Sequence, residues 1–568
     1  MGIQKSDELI PEFNKRGFHY NKDLLFNYFN SLITKPFVIL TGISGSGKSK
    51  IAEIFSEIIS TDDEKQYELI PVKPNWRDSK GLFGYHNLID NSYYVTPLIE
   101  LFLKALKAPH IPYFLILDEM NIAKTEHYFA DYLSLIESRR VEYQKCSTSL
   151  YDLKKIFRYE DKITLSEAII LASIDLNSPD EYLEVKKYRE NRFVTLWREQ
   201  FSQQNDDKSW TPQVRSELNQ GDGRLAHRVF TGGGHGEYKG LYKRKLKSEI
   251  SEEDLEIIIH LEKIYIEATN NNIITQDNMV LHNNEKCLSS NGTICPEENC
   301  PYKKNRKYEC TKLYTKENNH CFVPPELPIP LNIFTIGTVN VDETTYMFSP
   351  KVLDRSNVIE FNEIDFNGLY NISDKNKEYL QTNNKSIIDD NFFFDNNSYI
   401  PQLKITMPSN TEVNKLIADE NKCFDDIIKV FIALKKYNMH FGYRVINEIS
   451  GYICNVCKNT SYEKKAVIAL DYQILQKILP KFYGTYDKIW GPLVEILSCC
   501  MKKIINLDPN SDGDKIIAAL NNSSNSEINN WEIETNIAIE IFKYPKTALK
   551  ILEMLSDLDK VGFATFIK

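Results

Sequence analysis

Gly42-Ile43-Ser44-Gly45-Ser46-Gly47-Lys48-Ser49 is a complete G-x-x-x-x-G-K-[ST] loop, and its flanks are those the motif requires. The apolar run Phe37-Val-Ile-Leu40 predicts a buried strand entering the loop, and Lys50 to Ile59 predicts an amphipathic helix leaving it. Glycines at 42, 45 and 47 let successive backbone N–H groups turn inward, where a helix N-terminus favours phosphate. Ser44 and Ser46 fill out the cradle, Lys48 is placed for the β- and γ-phosphates, and the Ser49 hydroxyl for magnesium. The expectation is a nucleoside-triphosphate site with Mg2+ as its ion.

A second apolar run, Tyr113-Phe-Leu-Ile-Leu117, is too short for a helix and is bounded by Pro112, so it predicts a central parallel strand. It ends in Asp118-Glu119. Asp118 is the candidate second magnesium residue, and Glu119 the candidate base or water-orienting group. Paired carboxylates suit hydrolysis better than binding alone. Another strand is expected at 67–72 and a helix at 97–107. The polar cluster after Leu331–Thr338 puts Asn340 beside the γ-phosphate, and Arg355 precedes a last strand at 357–361. An arginine there is expected at the sheet edge, facing a neighbouring subunit; in phosphoryl transfer such a residue is worth roughly 10³–10⁵ in rate. The competing reading is an ion pair with Asp354 or Glu360.

At 568 residues the chain has room for about three to four domain-sized units. Its 42 % hydrophobic and 26 % charged content is that of a globular protein, with no run long enough to span a membrane. The start, Met1-Gly2-Ile3-Gln4-Lys5-Ser6, fits an N-myristoylation pattern but lacks a polybasic second signal. Eleven cysteines without a secretory leader point to a reducing, cytoplasmic setting. The net charge of −10 argues against a broad nucleic-acid-coating surface while leaving room for a local basic groove.

The pattern divides the chain at 1–140 (first part of the α/β core), 141–328 (an insertion), 329–370 (the core resumed) and 371–568 (all-helical). The insertion predicts helices near 179–203 and 251–269 around a flexible Gly232–Gly236, then a loop-rich, cysteine-bearing stretch at 282–328. The C-terminal part predicts helices with an Asn-rich break at 506–528. Cys287, Cys295, Cys300, Cys310 and Cys321 fall in one polar stretch, where zinc is the usual explanation in a reducing compartment. Cys287, Cys295, Cys300 and Cys310 are therefore candidate Zn2+ ligands. Their spacing lacks the paired C-x₂-C of strong zinc sites, and small buried thiols are the alternative. Cys454 and Cys457 share one helical face and read as core. Basic runs at 243–247 and 303–307 mark where the insertion would meet DNA, against the commoner reading of solvated charge.

Taken together, the loop at 42–49, Pro74-Asn-Trp-Arg-Asp78 with Leu82-Phe-Gly-Tyr85, Asp118-Glu-Met-Asn121 and the 337–361 segment resemble the McrB family of AAA+ NTPases, the GTP-driven motors of modification-dependent restriction systems. The resemblance covers about 20–140 and 328–370. Phe441-Gly-Tyr-Arg444 to Glu448 and Ala469 to Pro480 look like the helical lid of such relatives. It implies an AAA+ P-loop fold with a parallel sheet, a large insertion before the sensor-1 strand, and a C-terminal helical lid. It also implies a homo-oligomeric ring, hexameric in the family's manner, with a separate McrC-like nuclease subunit and DNA as partners and no membrane. Lys48, Ser49, Asp118, Glu119 and Asn340 would act within one subunit, Arg355 from its neighbour, and Arg444 as a lid arginine sensing the γ-phosphate. One departure bears on the nucleotide. Where the family reads Met-Asn-x-x-Asp-Arg-Ser, this chain has Val339-Asn340-Val-Asp-Glu343-Thr-Thr345, which leaves GTP and ATP both open. The alternative is a MoxR-type AAA+ ATPase that remodels proteins without DNA.

Overall fold

The computed structural model describes residues 9–60, 65–109, 111–142, 273–295, 320–341, 346–361 and 422–567 (apart from 461, 463, 504, 506, 525–527 and 529), together with short strands at 181–184, 224–230, 236–246 and 314–315 and residues 416–417. The chain divides into two compact units, residues 1–138 with 276–568, and residues 139–275.

In the first unit five strands form a parallel sheet: β1 (Phe37–Gly42), β2 (Tyr67–Pro71), β3 (Tyr113–Asp118), β4 (Ile333–Asn340) and β5 (Asn357–Glu360), in the order β5-β1-β4-β3-β2. β1 and β4 are buried along almost their whole length, which is why they read as unbroken apolar runs rather than as alternation. The register sets Gly42 opposite Asn340 and Pro71 opposite Asp118, so the ends of β1, β2, β3 and β4 lie together.

Helices cover both faces. α1 (Lys22–Thr34) precedes β1, α2 (Lys48–Ile59) follows it, α3 (Pro97–Lys107) precedes β3, and α4 (Ala130–Glu137) comes after it. Adjacent strand residues point to opposite faces. Phe334 packs against Phe114, which meets Phe55 of α2, while the neighbouring Thr335 bonds the Tyr132 hydroxyl of α4. Thr96 caps α3 by accepting the Ile99 N–H, and Pro97 opens the helix where its missing N–H costs nothing.

Ahead of β1 the chain forms two helices, Leu9–Lys15 and α1, with Gly17 at φ 79° between them. The strand expected at 331–338 begins and ends two residues later. A tight hairpin, Tyr85–Asn87 with Ser92–Tyr94, follows β2 and carries exposed Leu88 and Ile89 at its tip. Residues 279–295 lie on this hairpin: Asn284 Nδ2 donates to Asn91 Oδ1 at 3.1 Å, and His282 packs beside Tyr93 and His86. Gly292, at φ 79°, lies so close to the Asp90 carbonyl that a Cβ would stand 2.6 Å from it.

The C-terminal part is largely helical: α5 (Cys423–Lys435), α6 (Tyr443–Asn459), α7 (Lys465–Gln473), α8 (Tyr486–Cys500) and α9 (Pro545–Val561), with shorter helices between the last two. Cys454 is buried on α6, as the core reading of that pair expects. The Asn-rich stretch at 506–528 is not simply a break. Gly513–Asn521 is helical because Asp512 caps it and Ile516 and Leu520, four apart, are buried on one side. The chain closes with Phe563–Thr565 paired antiparallel to Tyr483–Thr485.

In the second unit, Gly236–Leu246 is the central strand of a three-stranded antiparallel sheet between Glu181–Glu184 and Arg224–Phe230, and Arg140–Glu142 pairs with Ile273–Thr275. Residues 181–184 are thus strand where the sequence pattern suggested helix: the short Glu-Tyr-Leu-Glu alternation pairs with 243–246. The expected helix at 251–269, the glycines at 232–235 and the basic run at 303–307 lie outside the described residues. Among the described residues no helix is long and apolar enough to cross a membrane.

Candidate nucleotide site and a second charged cluster

The loop after β1 turns on Gly45 (φ 80°) and Gly47 (φ 93°), the second of which is the residue before α2. Only glycine adopts this backbone without strain. The Tyr20 hydroxyl donates to the Gly47 carbonyl at 3.2 Å, and a Cβ on Gly47 would meet that oxygen at 3.0 Å. Lys48 is buried, and its ammonium donates to the carbonyls of Gly42 (2.9 Å) and Ile43 (2.6 Å). These are loop carbonyls that a phosphate-bound lysine would leave.

Four of the predicted residues are brought together at the sheet's carboxyl edge. Ser49 Oγ donates to Asp118 Oδ1 at 2.6 Å, and Thr338 Oγ1 donates to the same oxygen at 2.6 Å. The Thr338 hydroxyl accepts the Glu119 N–H at 3.1 Å, and Asn340 Nδ2 donates to Glu119 Oε1 at 3.1 Å. Glu119 has φ 53°, an uncommon backbone for a residue with a side chain. It is held there by Thr338, whose carbonyl also accepts the Met120 N–H at 2.8 Å. A hydroxyl and a carboxylate in direct contact on hard oxygen atoms suit magnesium.

Beside this edge lies a cavity of about 310 Å³, between residues 19–27, the end of β5 and helices α7 and α9. Tyr20 is common to both, lining the cavity while its hydroxyl rests on the loop. Asp23 in its wall accepts hydrogen bonds from Tyr472 Oη (3.1 Å) and Lys546 Nζ (3.0 Å). Burial pushes this carboxyl up, but the Lys546 ammonium and the Tyr472 hydroxyl outweigh it, so the group lies below its ordinary range.

The two arginines are elsewhere, and together. Arg355 and Arg444 each donate to Glu137 at the end of α4, one to each carboxylate oxygen. Arg444 also faces Asp354 at 3.5 Å, and Arg355 Nη1 donates to the Lys351 carbonyl at 3.0 Å. Partial burial and the charge on Arg444 lower the Arg355 pKa. Arg355 is thus paired with Glu137 rather than with Asp354 or Glu360; Glu360 pairs with Lys550 at 2.7 Å. Behind the arginines, Glu448 is clamped between Lys35 and Lys477, the latter at 2.6 Å, and Lys481 pairs with Asp354.

Of the cysteine set, Cys287 and Cys295 are buried and adjacent, with the Cys295 N–H on the Cys287 carbonyl at 3.0 Å. Cys300 and Cys310 lie outside the described residues, and among the described residues no group of three or more His, Cys, Asp or Glu is arranged to hold a metal.

Sequence reasoning missed Thr338, Tyr20, Asp23 and Glu137. Thr338 had a signal: two residues before Asn340 on one strand, it must share that residue's face. The other three had none, because only folding brings them to their partners.

A family model for a domain of unknown function, DUF8727, matches residues 401–563, the helical C-terminal part. Comparison with curated proteins and with solved structures returns no match.

Proposed function

We propose that this chain is an AAA+ nucleoside-triphosphate hydrolase that works as a ring, in the manner of the McrB-like motors of restriction and anti-phage defence, with DNA and a separate McrC-like nuclease subunit as partners. The observation that carries the hydrolase reading is the continuous chain of hydrogen bonds Ser49–Asp118–Thr338–Glu119–Asn340 at the mouth of the glycine loop. A sheet in the order β5-β1-β4-β3-β2 with that loop after β1 supports the AAA+ assignment.

In this reading the loop N–H groups and Lys48 hold the phosphates, Lys48 exchanging its loop carbonyls for phosphate oxygens. Ser49 and Asp118 would hold magnesium, which when bound neutralises charge building on the β- and γ-oxygens. Glu119 is positioned to take a proton from the attacking water, with Asn340 orienting that carboxylate.

The base belongs in the cavity beside Tyr20. Asp23 presents acceptors and Lys546 a donor, 3.0 Å apart. Guanine, with N1–H and N2–H₂ donors beside its O6 acceptor, complements that pair. Adenine would set its N1 lone pair against the carboxylate. The chain therefore favours GTP.

Steady-state phosphate release with GTP and with ATP, on wild type and Glu119→Gln, tests the proposal. We expect GTP-selective release in the wild type, and in Glu119→Gln retained nucleotide binding with turnover lowered about 10²–10⁴-fold. No binding of either triphosphate sinks the hydrolase reading; ATP selectivity removes the guanine assignment and favours a protein-remodelling ATPase.

A further inference from the structure

One wall of the cavity beside Tyr20 is a helix that does not cap itself. α9 opens with Pro545, and Tyr544 before it makes no capping bond, since its hydroxyl donates to Asp426 Oδ2 at 2.7 Å. The N–H groups of the first turn that need an acceptor from outside the helix are those of Lys546 and Thr547. One side chain from another helix takes both. Asp471 of α7, itself buried, accepts the Lys546 N–H on Oδ2 at 2.9 Å and the Thr547 N–H on Oδ1 at 2.8 Å. Its backbone carbonyl accepts the Thr547 hydroxyl at 2.9 Å.

The residue clamped in this way also reaches into the cavity. Lys546 Nζ donates to Asp23 at 3.0 Å and stands 5.1 Å from the centroid of the Tyr472 ring, and Tyr472 directly follows Asp471. Asp471 thus fixes the root of Lys546, and Tyr472 guides its ammonium. The clamp works only with an ionised carboxylate. A neutral carboxyl keeps one good acceptor and turns its other oxygen into a donor, which then faces an N–H. One capping bond is lost, and with it the negative charge at the helix N-terminus.

On the reading above that the base lies in this cavity, we infer that ionised Asp471 is a positioning residue for guanine selection: by clamping the first turn of α9 it holds Lys546 against Asp23, and its protonated form releases it. Burial pushes the Asp471 carboxyl up, and the Thr547 and Lys546 donors bring it only part of the way back, to about 6 from an ordinary 3.8. Other groups around it do not exchange protons near neutrality. Asp23 of α1 and Asp426 of α5 bond to lysines that outweigh their burial and lie below their ordinary range. Burial raises the Tyr472 hydroxyl and the Cys500 thiol of α8 well above theirs. Guanine selection is therefore built to weaken as pH falls through about 6.

Equilibrium binding of the non-hydrolysable imido analogues of GTP and ATP tests this, read as the ratio of the two affinities so that protonation of the phosphates cancels. At pH 8, Asp471→Asn, which stands in for the neutral acid, should lower the wild-type preference for GTP about ten-fold, the worth of one hydrogen bond to a charged group. Between pH 8 and pH 5.5 the wild-type ratio should fall about three-fold, while that of Asp471→Asn stays flat. His19 lines the same cavity, so the titration is repeated in His19→Gln, where the same fall is expected. A wild-type ratio in Asp471→Asn at pH 8, a flat profile in the wild type, or a fall that His19→Gln abolishes overturns the inference. Lys546→Met separates the two layers. If it loses the preference for GTP while Asp471→Asn keeps it, only this inference falls; if Lys546→Met keeps the preference, the guanine assignment beneath falls as well. Should Asp471→Asn not fold, the wild-type and His19→Gln profiles decide by themselves.

Discussion

Thr338 carries two duties with one hydroxyl: its proton fixes Asp118, and its lone pair fixes the backbone of Glu119 in a conformation that costs about 1–3 kcal/mol. Replacing it with valine keeps the strand's shape and removes both bonds. Thr338→Val is expected to lower kcat for GTP about ten-fold or more, with nucleotide affinity nearly unchanged, while Thr338→Ser stays near wild type; kcat and KM measured separately decide it. Asp23 is expected to act in the opposite sense, on selection and not on chemistry. On the guanine assignment proposed above, Asp23→Asn should weaken GTP binding and strengthen binding of XTP, whose C2 carbonyl accepts the new amide N–H₂; equilibrium binding of the two nucleotides is the check. The loop and the Asp118-Glu119 pair were legible in the sequence because their chemistry is written in consecutive residues. Asp23, Tyr20 and Glu137 were not, because each is an ordinary residue until a distant partner arrives: Asp23 meets Lys546, and Glu137 meets Arg355 and Arg444.

Between elements, the contact of the helical part with α1 carries a run of polar pairs. Asn27 of α1 accepts from Tyr452 Oη (2.6 Å) and Gln476 Nε2 (2.7 Å), Thr34 accepts from Asn455, and Asn30 from Asn459. Such an interface tolerates little change, because removing one partner strands another in a dry site. Glu448 is the extreme case, partly buried between the buried Lys35 and Lys477. Burial pushes its carboxyl up and the two ammonium groups pull it further down, to about 2 from an ordinary 4.5. Glu448→Gln leaves both lysines without their carboxylate and should cost about 3–5 kcal/mol. Because the folded value lies below the unfolded one, the stabilisation is complete above about pH 4.5 and is lost as pH falls toward 2. The melting-temperature gap between wild type and Glu448→Gln should therefore be widest near neutrality and close across that acid window. The helices were legible from their apolar spacing; the clamp was not, since Lys35 and Glu448 are 413 residues apart. The helix at 513–521 was obscured by asparagines around it, although Asp512 and the Ile516–Leu520 spacing announce it.

At the scale of the molecule, the proposed ring hydrolase would make turnover depend on assembly. GTP hydrolysis per chain should rise with protein concentration, and Arg355→Ala should bind nucleotide yet stay slow at any concentration; rates measured across a dilution series read this directly. The parallel character of the sheet was legible from its apolar runs. Its strand order could not be read from periodicity, which says what is buried but not beside what. That order has a consequence for how the chain comes off the ribosome. β1 sits between β5 and β4, so both its neighbours are made last, and about 290 residues separate Gly42 from Ile333. At roughly 5–20 residues per second, Phe37-Val-Ile-Leu40 waits some 15–60 seconds with both edges unpaired, while β2 and β3 can already join. A nascent chain of this design should lean on chaperones early, and stalled products ending before residue 333 should aggregate through the strand that leads into the glycine loop.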